Sequence, residues 1–368
     1  MEIIGFSPVQ KMFFSPWRNI YYKTMNMKPT KNKSINVLSL FDGISCAKLA
    51  LDKAGIRISN YYSSEIDKSA LAIQNYHYSG DTSFHQIGDV KDVDIIDYPN
   101  VDLVIFGSPC TQLSSVNSKD RSGLDGPDSS LFYEAIRILH DLKKYQHRTK
   151  KLHFIMENVA SMDTKNRKLI TSELENIFGD EVYMIKINSS LIAPSHRRRL
   201  YWTNIPDITI PEPIEFKFSD IIHNGYVEKE KANVLLSGNV TLTNGIFRHY
   251  KMNLGNVIYK DKEFADLSIE QKLLEYPFIL NKSGYVGKSR SAFGEYDFPN
   301  KCYRLPSVLE SERLMTIRDG YVSDVPNVSK TNKLKAIGLA MTVDVVAVLL
   351  EKLKGDNNIA KVENACRS

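Results

Sequence analysis

The sequence predicts an α/β fold built on a doubly wound, mostly parallel sheet. From about Asn36, strand-like apolar runs alternate with helix-like runs, which is the pattern of successive βαβ units. Polar or reactive residues follow five of the apolar runs, at the edge where such sheets bind ligands. After Pro206 the alternation stops, and it returns only near Ser307. The intervening stretch therefore indicates a second module.

The predicted elements alternate along the first half of the chain. Strands are expected at Asn36–Phe41, Ile58–Glu65, Asp102–Phe106, Leu152–Met156 and Tyr183–Asn188. Helices are expected at Ser45–Ala54, Asp67–His77, Leu131–Leu142, Arg167–Ile177, Ser307–Thr316 and Asn332–Lys354. Gly55 is placed to end the first helix, because glycine adopts the left-handed conformation of a C-cap without strain. The last two helices are expected to pack back onto the sheet.

Composition divides the chain into five regions. We expect an arm over residues 1–34, a sheet domain over 35–205, a loop-rich module over 206–305, returning helices over 306–354 and a tail over 355–368. The arm carries six basic residues and one acidic residue, which equals the net charge of +5 for the whole chain. A nucleic-acid partner would therefore be held by this arm or by local basic patches. The alternative is a solvated tail.

Composition also excludes several classes of protein. No run of about 18 apolar residues is present to span a membrane, and the N-terminus lacks the apolar segment of a signal peptide. The four cysteines are widely scattered, which fits neither a disulfide framework nor a paired-cysteine metal site. We therefore expect a reducing compartment, no metal, and a thiol at Cys110 that is free to react.

Cys110 lies in Gly107-Ser108-Pro109-Cys110, directly after an apolar run over 101–106. A strand thus delivers a thiol onto a proline-stiffened turn at the ligand-binding edge of the sheet. A thiolate at this position is suited to nucleophilic catalysis, and the alternative is a buried, inert cysteine. The polar segment 115–130 that follows has the glycine and proline content typical of a lid.

Three acidic residues follow strands or apolar runs in the first half of the sheet. In Phe41-Asp42-Gly43 the glycine lets the backbone approach a ligand at a helix N-terminus. Glu65 is placed to accept hydrogen bonds from ribose hydroxyls, as acidic residues do in dinucleotide-binding folds. Asp89 lies in the turn that follows Gly88. Each residue alone is equally compatible with ordinary turn chemistry.

Two motifs follow in the second half of the sheet. Glu157 and Asn158 come directly after the strand Leu152–Met156, and Asn158 can fix the turn of Cys110 through backbone hydrogen bonds. Arg197 and Arg199 precede an aromatic strand and would point to one side, because alternate residues of a strand do. Taken alone, the latter motif is a basic surface run.

In this order the motifs resemble those of the DNA (cytosine-5) methyltransferases, and most closely the de novo, eukaryotic-type branch. The resemblance covers roughly residues 36–205 and 305–350. It is carried by Leu38–Ile44, Gly107–Cys110, Glu157-Asn158-Val159, His196-Arg197 with Tyr201-Trp202, and Asp324–Val346. The chain departs from the family at Gly338-Leu339-Ala340-Met341, where Gly-Asn-Ala-Val is usual, and at Arg318-Asp319-Gly320-Tyr321, where Gly-Phe-Pro is frequent.

The resemblance implies a class I S-adenosylmethionine-dependent methyltransferase fold, Rossmann-like with an antiparallel last strand. Residues 35–205 would be the catalytic domain and 206–305 the target-recognition domain. Cytosine would be flipped out of duplex DNA, and a cysteine would add to C6 before methylation at C5. The implied catalytic residues are Cys110, Glu157, Arg197 and Arg199. The implied cofactor-binding residues are Phe41, Asp42, Gly43, Ile44, Ser45, Glu65, Ile66, Asp89, Val90, Ser108, Leu131, Leu339, Ala340 and Met341. The implied DNA-binding residues are Ser114, Asn117, Lys288, Arg290 and Arg304.

Two other functions stay open. A tRNA cytosine-5 methyltransferase of the same family is one, although the Cys-Phe-Thr tripeptide usual in that branch is absent from the chain. A non-enzymatic DNA-binding regulator is the other, although such relatives tend to lose the nucleophile. The expected partner is duplex DNA, without membrane or metal, as a monomer or homodimer. The expected location is the cytoplasm of a bacterium or phage-infected host, at the nucleoid. A CG-containing target and a restriction, phage-defence or regulatory role are open.

Overall fold

A computed structural model describes residues 34–109, 131–146, 151–235, 241–274 and 302–354. Seven strands form one sheet in the order β3-β2-β1-β4-β5-β7-β6. They are β1 Ile35–Leu40, β2 Ile58–Ser64, β3 Phe84–Gln86, β4 Leu103–Phe106, β5 His153–Val159, β6 Tyr183–Asn188 and β7 Arg198–Thr203. The first five are parallel, and β7 runs antiparallel to both β5 and β6. The predicted α/β sheet with an antiparallel last strand is therefore confirmed.

Ten α-helices lie within the described residues. They are α1 Cys46–Ala54, α2 Lys68–Tyr78, α3 Phe132–Asp141, α4 Thr164–Phe178, α5 Leu242–Met252, α6 Lys262–Asp266, α7 Ile269–Leu274, α8 Val308–Leu314, α9 Lys330–Leu339 and α10 Val343–Glu351. A two-stranded sheet pairs β8 Ile258–Tyr259 with β9 Tyr303–Arg304. Most predicted strands and helices are present, with ends shifted by one to three residues.

Helices cover both faces of the large sheet. Successive strand residues point to opposite faces, so side chains of both kinds are buried. On one face, residues such as Val37 and Ile105 pack against α1, α2, α9 and α10. On the other face, residues such as Leu38 and Val104 pack against α3 and α4. Burial on both sides explains why the central strands read as continuous apolar runs in the sequence.

Polar caps determine where several helices begin. Asp67 accepts hydrogen bonds from the backbone of Ser69 and Ala70 at the start of α2, and Asp163 accepts from Asn166 at the start of α4. Gly55, with φ of 68°, ends α1 as predicted. These residues satisfy backbone groups that a helix end leaves free, so the local sequence fixes the ends.

The predicted helix Asn332–Lys354 is instead two helices, α9 and α10, which corrects the expectation from sequence. Ala340 and Thr342 are extended between them. The guanidinium of Arg197 donates to the carbonyl oxygens of Gly338 and Ala340, at 3.2 and 2.7 Å. Because a distant side chain takes these acceptors, α9 ends there without a local signal in its own sequence.

The described part of the 206–305 module contacts the sheet domain through backbone hydrogen bonds. His196 donates to the carbonyl of Ala232 at 2.7 Å, and Ala232 donates to that of Pro194 at 2.8 Å. Within the module, Gly255 lies against α5. A Cβ added at Gly255 would be 2.4 Å from the oxygen of Gly245 and 2.5 Å from the nitrogen of His249. Only glycine allows this approach.

A partly buried chain of hydrogen bonds runs through the same module. We call it the Glu228 network; its members are Glu228, Tyr250, Tyr259, Lys272 and Tyr303. Lys272 Nζ and the Tyr259 hydroxyl both donate to Glu228 Oε1, the former at 2.8 Å. The Tyr250 hydroxyl lies 2.9 Å from that of Tyr259 and 3.0 Å from that of Tyr303. Lys272 is only 2% exposed, and this carboxylate is its ion-pair partner.

Among the described residues, no helix combines the length and the hydropathy needed to cross a membrane. In the same ranges, His, Cys, Asp and Glu side chains form no group of three or more that could hold a metal ion. The boundaries at residues 205 and 305 stay predictions, as do the arm and the tail, which lie outside the described residues.

Candidate functional site

The loop between β1 and α1 has an unusual backbone. Phe41, Gly43 and Ser45 have φ angles of 54°, 58° and 60°, in the left-handed region. Glycine adopts this region readily, whereas Phe41 and Ser45 need support from their surroundings. The loop is therefore held in place by its contacts, and one carboxylate supplies most of them.

Asp42 holds this loop from within. Its carboxylate accepts hydrogen bonds at 2.5 to 3.2 Å from five side chains, Ser39, Ser45, Tyr61, Ser63 and Gln74. Burial raises the pKa of Asp42 above its ordinary value, while the hydroxyl donors act in the opposite direction. Because five side-chain donors surround both oxygens of this carboxylate and Asp42 is only 9% exposed, the geometry favours a structural role over the predicted cofactor contact. Ser45, which is fully buried under this carboxylate, fits the same role.

Glu65 joins the first two loops at the edge of the sheet. Its carboxylate accepts from the backbone nitrogens of Gly43, Ile66 and Asp67, each at 2.7 Å. The side chain thereby fixes the position of the Gly43 loop relative to the end of β2. It also lines the cavity described below, so its predicted contact with ribose stays a proposal.

The third loop of this edge is ordered by Asp89. Its side chain accepts from the nitrogen of Lys91 at 3.1 Å and begins a short 3-10 turn, while Ser64 Oγ donates to the carbonyl of Gly88 at 2.9 Å. The ends of β2 and β3 are thus tied together. Asp89 and Val90 both line the cavity, as their predicted role requires.

Glu157 and Arg199 form a close ion pair at the ends of β5 and β7. Arg199 Nε lies 2.6 Å from Glu157 Oε1, and both side chains are less than 15% exposed. A Cβ added at Gly107 would be 3.3 Å from Glu157 Oε2 and 3.2 Å from Met341 Cε. The turn that leads to Cys110 therefore lies directly against this carboxylate.

Asn158 fixes that same turn, as the sequence suggested. Its side-chain amide lies 3.2 Å from Ser108 Oγ and 3.4 Å from the carbonyl oxygen of Ser108. Cys110 itself lies outside the described residues, which end at Pro109 in this segment. Positions 107–109 and Glu157 nevertheless place the start of the Cys110 turn at the ligand-binding edge.

Arg197 and Arg199 do not share one environment. Arg197 is 5% exposed and binds the carbonyl oxygens of Gly338 and Ala340, whereas Arg199 binds Glu157. Arg198, between them, is exposed. The contacts of Arg197 favour a role in positioning the α9–α10 junction over a direct contact with substrate.

One cavity of about 1130 Å³ unites these groups. Among the described residues, all of the predicted cofactor-binding positions line it except Ser45. So do Glu157, Arg197 and Arg199. Apart from Glu157 on β5, its acidic side chains come from the loops after β1, β2 and β3, and its arginines come from β7 and the segment before it. The predicted catalytic and cofactor-binding residues that the structure describes, apart from Ser45, thus surround one cavity.

The sequence reasoning missed part of the cavity wall. Asn332, Lys335 and Ala336 line it from α9 beside the predicted Leu339, and Lys335 Nζ lies 3.1 Å from Asp67 Oδ2. Lys335, Ala336 and Leu339 follow Asn332 by three, four and seven residues, which marks one helical face, so a signal was present. Asn233, Val234, Leu235 and Leu254 line it from the module, and no local motif marks them.

The predicted DNA-binding residues are divided by the structure. Ser114, Asn117, Lys288 and Arg290 lie outside the described residues. The guanidinium of Arg304 makes two hydrogen bonds to the buried carboxylate of Glu310, at 2.7 and 2.8 Å, and also donates to the carbonyl of Asn224. Because these acceptors occupy its donors, the geometry favours a structural role for Arg304 over the predicted contact with DNA.

Comparison with known proteins gives the same assignment. DNA (cytosine-5)-methyltransferase DRM1 of Arabidopsis thaliana is 33% identical over 135 residues, which are 34% of this chain and 22% of DRM1. DRM2 of Oryza sativa subsp. japonica is 37% identical over 119 residues, 30% of this chain and 20% of DRM2. The orphan methyltransferase M.SPRI of Bacillus phage SPR is 29% identical over 198 residues, 52% of this chain and 43% of M.SPRI. The chain matches less than half the length of each relative.

Solved structures share the fold. The methyltransferase EhMeth of Entamoeba histolytica superposes with a TM-score of 0.62 at 16% identity, covering 88% of this chain and 99% of EhMeth. The Dnmt2 methyltransferase of S. pombe superposes with a TM-score of 0.60 at 14% identity, covering 87% of this chain and 98% of that one. A family model described as C-5 cytosine-specific DNA methylase matches residues 35–355. The chain therefore belongs to the C-5 cytosine-specific DNA methylase family, as its sequence predicted.

Proposed function

We propose that this chain transfers a methyl group from S-adenosylmethionine to C5 of cytosine in duplex DNA. The observation that carries the proposal is the shared cavity. It brings the loops after β1, β2 and β3 together with the Glu157–Arg199 pair and the turn that leads to Cys110. Family membership supports the same reaction.

The cavity suits a nucleoside with a cationic side chain. Ile66 and Leu339 line it although they are 65% and 61% exposed, so an aromatic base could cover apolar surface that now faces solvent. The carboxylates of Glu65 and Asp89 lie in the same wall. When bound there, S-adenosylmethionine would supply an electrophilic methyl group. The proposed binding residues are Phe41, Gly43, Ile44, Glu65, Ile66, Asp89, Val90, Ser108, Leu131, Leu339, Ala340 and Met341.

Cys110 is the proposed nucleophile. Its thiolate forms a bond to C6 of a flipped cytosine, which makes C5 nucleophilic enough to accept the methyl group. As the bond from C5 to the methyl carbon forms, the bond from that carbon to sulfur would break, and S-adenosylhomocysteine would be the product that leaves. A base then takes the proton from C5, the electron pair of that bond restores the C5–C6 double bond, and the bond from C6 to sulfur breaks. The thiolate is thereby regenerated.

Glu157 and Arg199 are proposed to bind the base during this addition. A carboxyl group at Glu157 can hydrogen-bond N3 and the exocyclic amino group of cytosine and stabilise the charge that builds at N3. Arg199, 2.6 Å from that carboxyl group, fixes its orientation. For Arg197 we propose a positioning role, because its guanidinium holds the backbone of Gly338 and Ala340 at the cavity wall.

The finer assignments are also proposals. Residues 35–205 with 306–354 would form the catalytic domain, 206–305 the target-recognition domain, and the arm over 1–34 an additional contact with phosphates. Duplex DNA would be the partner, at the nucleoid of a bacterium or phage-infected cell. The similarity to a protein of Bacillus phage SPR is consistent with this setting.

The test is methylation of a mixed-sequence DNA duplex in the presence of S-adenosylmethionine, followed by base-resolution sequencing for 5-methylcytosine. We expect methylation at one short motif, and its abolition in Cys110→Ser with DNA binding retained. Cys302→Ser, outside the cavity lining, is the matched control and should stay active. Near-native turnover in Cys110→Ser would contradict the mechanism. Methylation of RNA alone would favour the tRNA enzyme, and methylation of neither would favour a regulator.

A further inference from the structure

A second cavity lies beside the first. Its volume is about 290 Å³, and it is enclosed by α5, the segment from Leu305 into α8, and the first turns of α9. Val234, Leu235 and Leu254 line both cavities, so they form a common wall. The second cavity is therefore directly adjacent to the main one.

The second cavity is basic. Arg248 and Lys330 line it, and its remaining lining residues, which include Asn256, Ser311 and Thr331, carry no charge. As far as the structure describes the chain, it thus presents two cations and neutral hydrogen-bonding groups, without a lining carboxylate. An anion is the ligand that this combination attracts.

Arg248 differs from the other arginines around it. Arg304 pairs with Glu310, Arg313 with Asp319 and Arg199 with Glu157. Among the described residues, no carboxylate lies within ion-pair distance of Arg248. Its Nη1 is buried, and no hydrogen-bond partner for it is found there. Burial of a guanidinium nitrogen without a hydrogen-bond acceptor costs free energy. A ligand that supplies an acceptor at this position would therefore be stabilised.

We propose that this cavity binds a phosphodiester group of the DNA backbone next to the target cytosine, with Arg248 as its principal contact. The planar guanidinium suits two phosphate oxygens, and Lys330 adds a second positive charge. This inference rests on the proposed function, because it assumes that the base enters the adjoining main cavity. It adds a contact that sets the register of the duplex without reading its sequence.

The first experiment measures DNA affinity of the full chain by fluorescence anisotropy across a series of salt concentrations. We expect Arg248→Gln to weaken binding several-fold and to reduce the slope of log K against log salt by about one unit. Its melting temperature should match the wild type. Arg167→Gln on α4, outside both cavities, is the matched control and should change neither quantity. Unchanged affinity and slope in Arg248→Gln would overturn the proposal.

If Arg248→Gln loses folded protein, Lys330→Gln decides, because Lys330 is exposed. A reduced salt slope in that variant supports the site, and an unchanged slope overturns it. A duplex series with one neutral methylphosphonate linkage at successive positions then locates the contact. We expect one linkage near the cytosine to weaken wild-type binding and to have no further effect on Arg248→Gln. Equal sensitivity of both proteins at every linkage would overturn the proposal.

Titration with inorganic phosphate distinguishes a backbone contact from a site for a free anion. Phosphate binding that Arg248→Gln abolishes, together with unchanged DNA affinity, would overturn the proposal in favour of a free-anion site. None of these measurements needs methyl transfer. A chain that binds DNA through Arg248 but fails to methylate it would contradict the proposed function and leave this contact intact.

Discussion

At the scale of single residues, Glu157 lies where two parts of the site meet. It pairs with Arg199 and lies against Gly107, the first residue of the turn that leads to Cys110. Its carboxyl group is therefore held at one place and in one orientation, which is what a group acting on a small heterocycle requires.

We expect Glu157→Gln to reduce the rate of methyl transfer by about 10²- to 10⁴-fold, because the amide cannot supply or take up a proton at N3. Single-turnover assays with saturating DNA and S-adenosylmethionine measure this rate. Glu175→Gln, at an exposed position of α4, is the control. An unchanged rate in Glu157→Gln would remove this residue from the mechanism.

Asp42 should give the folded protein a pH dependence that Asp42→Asn lacks. Burial raises its pKa in the folded state, so the folded protein binds a proton there more tightly than the unfolded chain does. The contribution of Asp42 to stability is therefore full below the ordinary aspartate pKa of about 3.9 and is lost as pH rises through the raised value. Urea unfolding at a series of pH values tests this.

In that experiment the difference in free energy of unfolding between wild type and Asp42→Asn should shrink as pH rises through this window. Asp180→Asn, at an exposed position, serves as the control. Parallel pH profiles for wild type and Asp42→Asn would show that the carboxyl group keeps an ordinary pKa in the folded protein.

Single residues also show what sequence alone can locate. Glu65, Asp89 and Glu157 were found because each follows an apolar run, and strand ends of a parallel sheet meet at one edge. Arg304 was placed at the DNA because its surroundings in sequence are basic and polar. Its partner Glu310 lies six residues on, where α8 begins, and pairs with it through a tertiary fold that no local pattern reveals.

At the scale of elements, helix starts and stops were predictable wherever a cap lies in the local sequence, as at Asp67 and Gly55. The three-residue strand Phe84–Gln86 was missed, because so short a run carries no periodicity. The break between α9 and α10 was missed because its cause, Arg197, is more than a hundred residues away. Helix ends that depend on a cap in the local sequence could thus be predicted. The break between α9 and α10, which depends on a tertiary contact, could not.

The packing of the loop around Gly255 on α5 gives the element-scale prediction. We expect Gly255→Ala to destabilise the protein by about 1–3 kcal/mol, because the new methyl group would meet backbone atoms at 2.4 and 2.5 Å. Gly80→Ala is the matched control, since a Cβ added there would meet nothing within 4 Å and the φ of Gly80 is not in the left-handed region. Chemical unfolding compares the two, and equal stability would contradict the close packing.

At the scale of the whole molecule, charge is distributed in a way that suits two different ligands. Acidic groups gather after β1, β2 and β3, and arginines gather at β7. A cationic methyl donor and a polyanionic duplex would thus approach opposite sides of one cavity. The sequence predicted both groups but not the closure of the cavity by α9 and the module, since that depends on long-range packing.

The arm provides the prediction at this scale. Removal of residues 1–30, which hold most of the arm's basic charge, should weaken DNA binding and flatten its salt dependence, because fewer counterions would be released from phosphates. Anisotropy titrations at several salt concentrations compare the truncated and full chains. Identical binding curves for the two proteins would indicate that the arm is a solvated tail that does not contact DNA.

The Glu228 network has a consequence for how such a chain can diversify. Lys272 and Tyr303 precede and follow residues 275–301, and hydrogen bonds connect both to one carboxylate. Hydrogen bonds from His249, Lys272 and Tyr259 overcome the effect of burial and lower the pKa of Glu228 to about 2, so the network stays charged at any physiological pH. The two ends of the intervening sequence are therefore fixed by groups outside it. Residues 275–301 can therefore be replaced by a different sequence, in evolution or by design, while Lys272 and Tyr303 keep their positions relative to each other.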